Sequence, residues 1–416
     1  MSILRKIEKL IPKKIYTLGQ PFYHYGITLT GAIKYRFPAN EIKVIGVTGT
    51  KGKSSVTEMI NHILESAGKK TSLSGTIRFK IDQKEISNKY KMSMPGRFFM
   101  QKFLRDSVDA GCEFAVVEMT SEGSKQFRHK FIYTDAFVFT NLSPEHIESH
   151  GSYKKYREAK VTMVHNLKNK KGVLFTNKDD KESEHFIKVA PGKVIEFTLS
   201  EVSDIVSEPN ISFTYKHTDF VSPLQGVFNI YNIISAIKVC EHFDIPLETI
   251  QGAVATKSEI AGRVQKIKNN IGADIVVDYA HTPDSLVALY ESFKSKRTVC
   301  ILGNTGGGRD TWKRPKMAEI ANKYCDQVIL TNEDPYDEDP MNIINDMKDS
   351  IDEHKLKIIL DRKEAIQKGI SCIRAGEALL ITGKGTDPFI MEANGDKTPW
   401  SDAQTVKDIL EEKELH

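Results

Sequence analysis

The chain has 416 residues, 40% hydrophobic and 27% charged, a folded-protein balance that excludes disordered, collagen-like and coiled-coil classes. Lys and Arg total 59 against 55 Asp and Glu, and the resulting +4 is too small to suggest a nucleic-acid partner. The five scattered cysteines include no Cys-x-x-Cys pair, which points to a reducing cytoplasm and away from a disulfide framework or zinc ribbon, and no apolar run approaches the ~18 residues of a membrane span.

Residues 1–41 read as a basic arm. Its first 40 residues carry seven basic side chains against the single acid Glu8, a local +6 that leaves the remainder at −2. Ile3, Leu4, Ile7, Leu10 and Ile11 share one helical face, and Pro12, Pro21 and Pro38 punctuate the segment. Such an arm either docks on the body of the protein or touches a membrane surface or lipid-linked substrate.

From residue 42, short apolar runs alternate with amphipathic stretches. Strands are predicted at 43–48, 114–119 and 136–140, with helices from the turn after 48 to about 67, near 97–110 and near 152–167. After a weakly patterned segment at 256–261 the alternation restarts, with strands at 273–277, 298–302, 327–330, 357–360 and 378–382. Helices are predicted near 284–294, 313–324, 340–352 and 363–373. Alternation of this kind implies α/β architecture with mostly parallel sheets. The expected organisation is a P-loop NTPase-like central domain at 42–260 and a Rossmann-like α/β domain at 261–416.

The strongest local signal is Gly49-Thr50-Lys51-Gly52-Lys53-Ser54-Ser55, directly after a strand and opening a helix. A glycine-rich turn lets phosphates approach backbone N–H groups and a helix N-terminus, with Lys53 placed to neutralise them and Ser54 to ligate Mg²⁺. Val47 stands where the general P-loop pattern has glycine. Glu118 ends an apolar strand, where a carboxylate can reach a P-loop cation.

This loop, with VVEMTSEG at 116–123, TNLSPEHIESHG at 140–151, YREAK at 156–160, GVFNIYN at 226–232, AGRVQ at 261–265, DYAHTPDSL at 278–286, GGGRDTWKRP at 306–315, TNEDPYDEDP at 331–340 and GKGTD at 383–387, resembles the Mur ligase superfamily, and its MurE branch in particular. The resemblance implies an ATP-dependent amino-acid ligase that forms a peptide bond through an acyl phosphate, in the synthesis of peptidoglycan precursors. It further implies ATP and two Mg²⁺ ions, held with the help of Glu118, His146 and a carbamylated Lys160, while His150 supports its loop. Asn229 and Asn232 would meet adenine. Asp278, Tyr279 and His281 would approach the nucleotide on domain closure about 256–262, and Arg263, Arg309, Lys313 and Arg314 would face phosphates or carboxylates.

Three departures from the family pattern bear on substrate. About 45 residues precede the loop, too few for the uridine-diphosphate-sugar domain usual in the MurE branch, and the basic arm takes its place. Glu333-Asp334-Pro335-Tyr336 aligns with the DNPR of diaminopimelate-adding members, so Tyr336 replaces the arginine clamp. With Asp334, and Asp387 beyond Gly383 in GKGTD, this suggests an amine-tipped amino acid such as lysine. Thr120-Ser121-Glu122 and Glu145-His146-Ile147-Glu148 also replace the usual SSH and DHLD, while SMPG at 93–96 keeps a muramoyl-peptide acceptor in view. Two other readings stay open: a related ligase using a lipid-linked or other carboxylate acceptor, and an ATP-binding scaffold without ligation.

Overall fold

The computed structural model describes residues 13–145, 147–168, 171–207, 210–308 and 310–414. The apolar positions predicted in the first part of the arm, and the candidate residues His146 and Arg309, lie outside the described residues.

The central sheet has eight strands in the order β4-β3-β2-β5-β1-β6-β7-β8. They are β1 (Lys43–Thr48), β2 (Thr71–Ser74), β3 (Arg78–Ile81), β4 (Lys84–Ser87), β5 (Phe114–Glu118), β6 (Ala136–Phe139), β7 (Val173–Asn177) and β8 (Val194–Phe197). Six of them run parallel, and β3 and β4 add an antiparallel edge. β1, β5 and β6 are wholly buried apart from Lys43, as continuous apolar runs require when helices cover both faces. A small antiparallel sheet follows, β9 (Val202–Val206), β10 (Ile211–Tyr215) and β11 (Thr218–Ser222).

A second sheet, ordered β12-β13-β17-β14-β15-β16, uses β12 (Gln265–Ile267), β13 (Asp274–Val277), β14 (Thr298–Leu302), β15 (Gln327–Leu330), β16 (Leu356–Ile358) and β17 (Ala378–Ile381). It is parallel except for β12. The hairpin β18 (Phe389–Met391) and β19 (Lys397–Pro399) closes the strand set.

The longer helices are α1 (Lys13–Lys34), α2 (Lys53–Ser66), α3 (Arg97–Asp109), α4 (Tyr153–Val161), α5 (Phe228–His242) and α6 (Leu247–Thr256) in the first part of the chain. The second part adds α7 (Pro283–Glu291), α8 (Lys313–Tyr324), α9 (Pro340–Lys348), α10 (Arg362–Ser371) and α11 (Asp402–Glu414). Among the described residues no helix is long and apolar enough to cross a membrane.

Two sequence expectations are corrected here. Pro21 does not punctuate the arm, because α1 runs through it for 22 residues. The far half of α1 is anchored instead: Thr28, Gly31 and Ala32 are buried, and Gly31 sits within ordinary contact of α3 backbone at Arg97 and Phe98. The cysteines are not all free either, since Cys300 on β14 and Cys325 just after α8 form a disulfide. The chain brings them together because Asp326 pairs with the start of β14 through the Thr298 amide.

Candidate functional site

The glycine-rich loop leaves the C-terminal end of β1, whose neighbours β5 and β6 lie on opposite sides, so the loop opens into the crevice between diverging crossovers. Gly52, the N-cap of α2, adopts φ 80°, and a Cβ there would stand 2.5 Å from the Asn232 side-chain oxygen. Thr140 and Asn141, after β6, brace the loop: the Asn141 carbonyl accepts from the Thr50 amide and its side-chain oxygen from the Lys51 amide, both at 2.8 Å. Lys53 curls over the loop and donates to the carbonyls of Gly49 (3.0 Å) and Thr50 (2.9 Å). Its ammonium is desolvated there, which lowers its pKa. Ser54 and Ser55 are buried in the first turn of α2.

β-Register pairs Val47 with Glu118 and so sets the Glu118 carboxylate beside the loop. Both of its oxygens lie 3.3–3.4 Å from the Ser54 hydroxyl, and it also accepts from the Thr76 amide (2.7 Å) and hydroxyl. Thr76 in turn meets the Ser93 hydroxyl at 2.6 Å, which ties the SMPG segment to the same point. A hydroxyl and a carboxylate at the mouth of a phosphate-sized cradle are hard oxygen ligands, the donor set Mg²⁺ prefers, and the residues present therefore fit that ion.

Lys160, on α4, is not the solvated lysine that helical position usually implies. It is 2% exposed, donates to the Gly49 carbonyl at 2.7 Å, and sits over the Tyr156 ring. Burial first, and the Lys53 charge second, hold its pKa well below the usual lysine value. His150 contacts Ser121 (3.2 Å) and Glu122 (3.3 Å), which supports the 147–150 turn.

The second sheet delivers its side chains from strand ends facing this loop. Arg263, before β12, reaches the Ser54 hydroxyl at 3.2 Å and stacks over Tyr279. Asp278, after β13, is engaged by the backbone amides of Val264 (2.6 Å) and Ala280 (2.7 Å), and burial raises its pKa. His281 meets Glu145 at 2.9 Å, Glu145 also holds Lys51 at 3.2 Å, and Lys313 donates to the His281 carbonyl at 3.2 Å. Desolvation first, then the Lys51 charge, lowers His281 to about 4, so it is neutral at ordinary pH. Arg314 turns elsewhere, pairing with Glu338 and Asp346, so it serves the second unit rather than a phosphate.

Asp334 and Asp387 lie together and are held by cations of the chain itself. Both carboxylates already carry internal cations: Lys91, from the loop between β4 and α3, lies 2.9 Å from each, and Lys384 lies 2.7 Å from Asp334. Gly383 stands against Glu333, and Tyr336 adopts φ 52° with its amide on the Met391 carbonyl. Asn229 donates to the Gln225 carbonyl and accepts from Asn232, which packs on Gly52. Sequence reasoning did not find Lys91 or Thr76, which belong to no local pattern, or the bridging role of Glu145, whose motif was visible but whose partners Lys51 and His281 are far apart in sequence.

Comparison with known proteins was informative for this arrangement. Residues 47–240 match the family model of the Mur ligase middle domain, and 262–385 that of the Mur ligase glutamate ligase domain. The UDP-N-acetylmuramoyl-L-alanyl-D-glutamate–2,6-diaminopimelate ligase of Geobacillus kaustophilus is 32% identical over 400 residues, covering 91% of this chain and 81% of that protein. The UDP-N-acetylmuramyl-tripeptide synthetase 2 of Oceanobacillus iheyensis is 33% identical, covering 89% and 78%. A solved UDP-N-acetylmuramoyl-L-alanyl-D-glutamate–2,6-diaminopimelate ligase superposes with TM-score 0.61 at 29% identity over 90% of this chain and 79% of its own. Folylpolyglutamate synthase from Thermotoga maritima shares the fold at 16% identity, with TM-score 0.68 over 97% and 99%.

Proposed function

Because this chain belongs to the Mur ligase family, we propose that it couples ATP cleavage to joining an amino acid to the carboxyl end of a muramoyl peptide, as a step in building peptidoglycan precursors. It is an ATP-dependent acid–amino-acid ligase. The observation that carries the reading is the reach of Arg263, from the second unit, to Ser54 in the glycine-rich loop of the first. A phosphate site built from both units fits a reaction that must exclude water from an acyl phosphate.

In the first step an acceptor carboxylate oxygen attacks the γ-phosphorus, its bond to the β–γ bridging oxygen breaks, and ADP leaves. Lys53, Lys51 and Arg263 bring positive charge to the phosphate oxygens, where charge is redistributed in the transition state. Ser54 and Glu118 would hold Mg²⁺, which supplies further neutralisation of those oxygens when bound. In the second step the amino acid's amine attacks the acyl carbon, phosphate departs, and the nitrogen loses a proton. The depressed basicity of Lys160 supports its carbamylation, because only a neutral amine adds CO₂, forming an N–C bond and releasing a proton. The carbamate would supply an oxygen anion, a donor type suited to a second Mg²⁺.

An anionic acceptor is supported by a cluster of cations near the SMPG segment. Arg128 donates to the Met94 carbonyl and to Gln126, and Arg97 contacts His24 of α1 at 2.5 Å. Burial lowers the pKa of both arginines. A second reading, an acceptor presented at a lipid surface, is favoured by the outward face of α1, where Phe22 is 82% and Tyr23 52% exposed.

Phosphate release across a panel of amino acids tests the reading, with UDP-muramoyl dipeptide in one arm and a lipid-linked muramoyl peptide in the other. Amino-acid-dependent turnover is expected. Nucleotide binding without turnover in either arm would refute ligation and support the scaffold reading.

A further inference from the structure

Lys91 projects from the β4–α3 loop of the first unit into the second, with its backbone in the left-handed region at φ 52°. Its ammonium bridges Asp334 and Asp387, 2.9 Å from each, and keeps 19% side-chain exposure. Lys384 completes the group from below: it is fully buried, donates to Asp334 at 2.7 Å and to the Phe389 carbonyl at 2.6 Å. Asp334 also accepts from the Met391 amide at 2.8 Å. Beside them Glu333 accepts from the Thr305 hydroxyl, and burial followed by the Asp334 charge pushes its carboxyl toward the neutral form.

The two aspartates therefore face two ammonium groups, those of Lys91 and Lys384. This balance decides what the pocket can take. Without Lys91 the pair Asp334 and Asp387 would carry an excess negative charge over Lys384 and attract a terminal ammonium. With it the pocket has no excess charge to offer, and an incoming lysine would meet a cation already in the place its side chain needs.

We propose that Lys91 is a specificity-determining residue that excludes amino acids with a singly cationic side chain, leaving those whose side-chain end is neutral or zwitterionic. The inference rests on the reading that Asp334 and Asp387 line the amino-acid site of the ligase. It reverses the preference those two acids suggest in isolation, because the deciding charge comes from the other unit. Two of the three Lys91 N–H donors are used by the aspartates, and the third is available to a substrate carboxylate.

The test compares kcat/KM for L-lysine, meso-diaminopimelate and L-alanine in the wild type and in Lys91→Met, with Lys91→Arg as the charge-retaining control. A unit charge ~6 Å away at an effective dielectric near 20 shifts an equilibrium by roughly a hundredfold before screening. We therefore expect Lys91→Met to raise lysine's kcat/KM relative to the other two by about tenfold or more, through KM, while Lys91→Arg keeps the wild-type order. An equal loss for all three amino acids in Lys91→Met would assign Lys91 to holding the units together and overturn the proposal. So would a wild type that already prefers lysine. Asp334→Asn separates the underlying reading: if it leaves every amino-acid KM unchanged, these acids do not line the site, and both readings fall. An unchanged preference in Lys91→Met with a raised KM in Asp334→Asn defeats only the role of Lys91.

Discussion

Replacing Lys160 by methionine should separate activity from stability. Methionine fills a similar volume, and the Gly49 carbonyl left behind keeps the Lys53 ammonium at 3.0 Å. One hydrogen bond is lost, worth about 1 kcal/mol, against relief from burying an amine beside another cation. The pH dependence is sharper. Unfolded, Lys160 titrates near 10.5; folded, burial and Lys53 keep it neutral well below that value. Between those limits the unfolded chain binds the extra proton, so wild-type stability rises with pH, by about 1.4 kcal/mol per unit from this site. Methionine has no such slope, and contributions from Lys53 and other groups cancel in the difference. Urea denaturation of both proteins at pH 7, 8 and 9 in CO₂-free buffer should show the wild type gaining on the variant as the pH rises toward 10.5. Phosphate release by the variant should fall by about two to three orders of magnitude, without rescue by bicarbonate. Parallel stability curves would mean that Lys160 is charged in the fold, and full activity would remove it from the site.

Other tests address separate parts of the molecule. Arg362 and Asp402 form a bidentate pair, 1% and 0% exposed; Arg362→Ala should cost about 3–5 kcal/mol in urea denaturation, because it strands a buried carboxylate. His281 has a folded pKa of about 4 against 6.5 unfolded, so its contribution is complete above 6.5 and is lost as pH falls toward 4. His281→Gln should flatten the acid side of the stability profile by up to about 3 kcal/mol, and an unchanged acid limb would contradict a neutral histidine. If α1 meets a lipid surface, the protein should sediment with phosphatidylglycerol vesicles more than with phosphatidylcholine vesicles. Phe22→Ser with Tyr23→Ser should abolish that difference; equal sedimentation with both lipids would remove the lipid reading.

How far the sequence could be read depended on the range of the interactions involved. Strands at 43–48, 298–302 and 327–330 and the helix at 313–324 match the observed bounds, because each is a run whose burial and flanking turns are local. β3 and β4 were not foreseen: KEIS is exposed throughout, and no hydrophobic period marks it. The antiparallel sheet β9–β11 was missed although β10 alternates buried and half-buried residues, since it interrupts the strand–helix rhythm that organised the reading. In the site, the glycine-rich loop and Glu118 were legible because a backbone turn and a strand end carry them. The charge of the Asp334–Asp387 pocket was not, because Lys91 lies 243 residues from Asp334 in the chain.

The same long sequence separation marks the contacts that join the two units. Among the described residues, polar contacts that cross between the parts of the chain before and after residue 260 include Arg263 to Ser54, His281 to Glu145, Lys91 to Asp334 and Asp387, and the Asp310 amide to Glu148. Arg263 and the Glu145 partner of His281 touch the glycine-rich loop itself, at Ser54 and Lys51, and the charged groups of these contacts and of Lys91 are partly withdrawn from water. Such contacts return little net free energy once desolvation is subtracted, so they align the two units without locking them. An apolar seam of the same extent would hold the units shut and trap product. A seam of polar contacts instead suits closure over ATP, acceptor and amino acid and later release of phosphate and the new peptide, because it strengthens as water leaves.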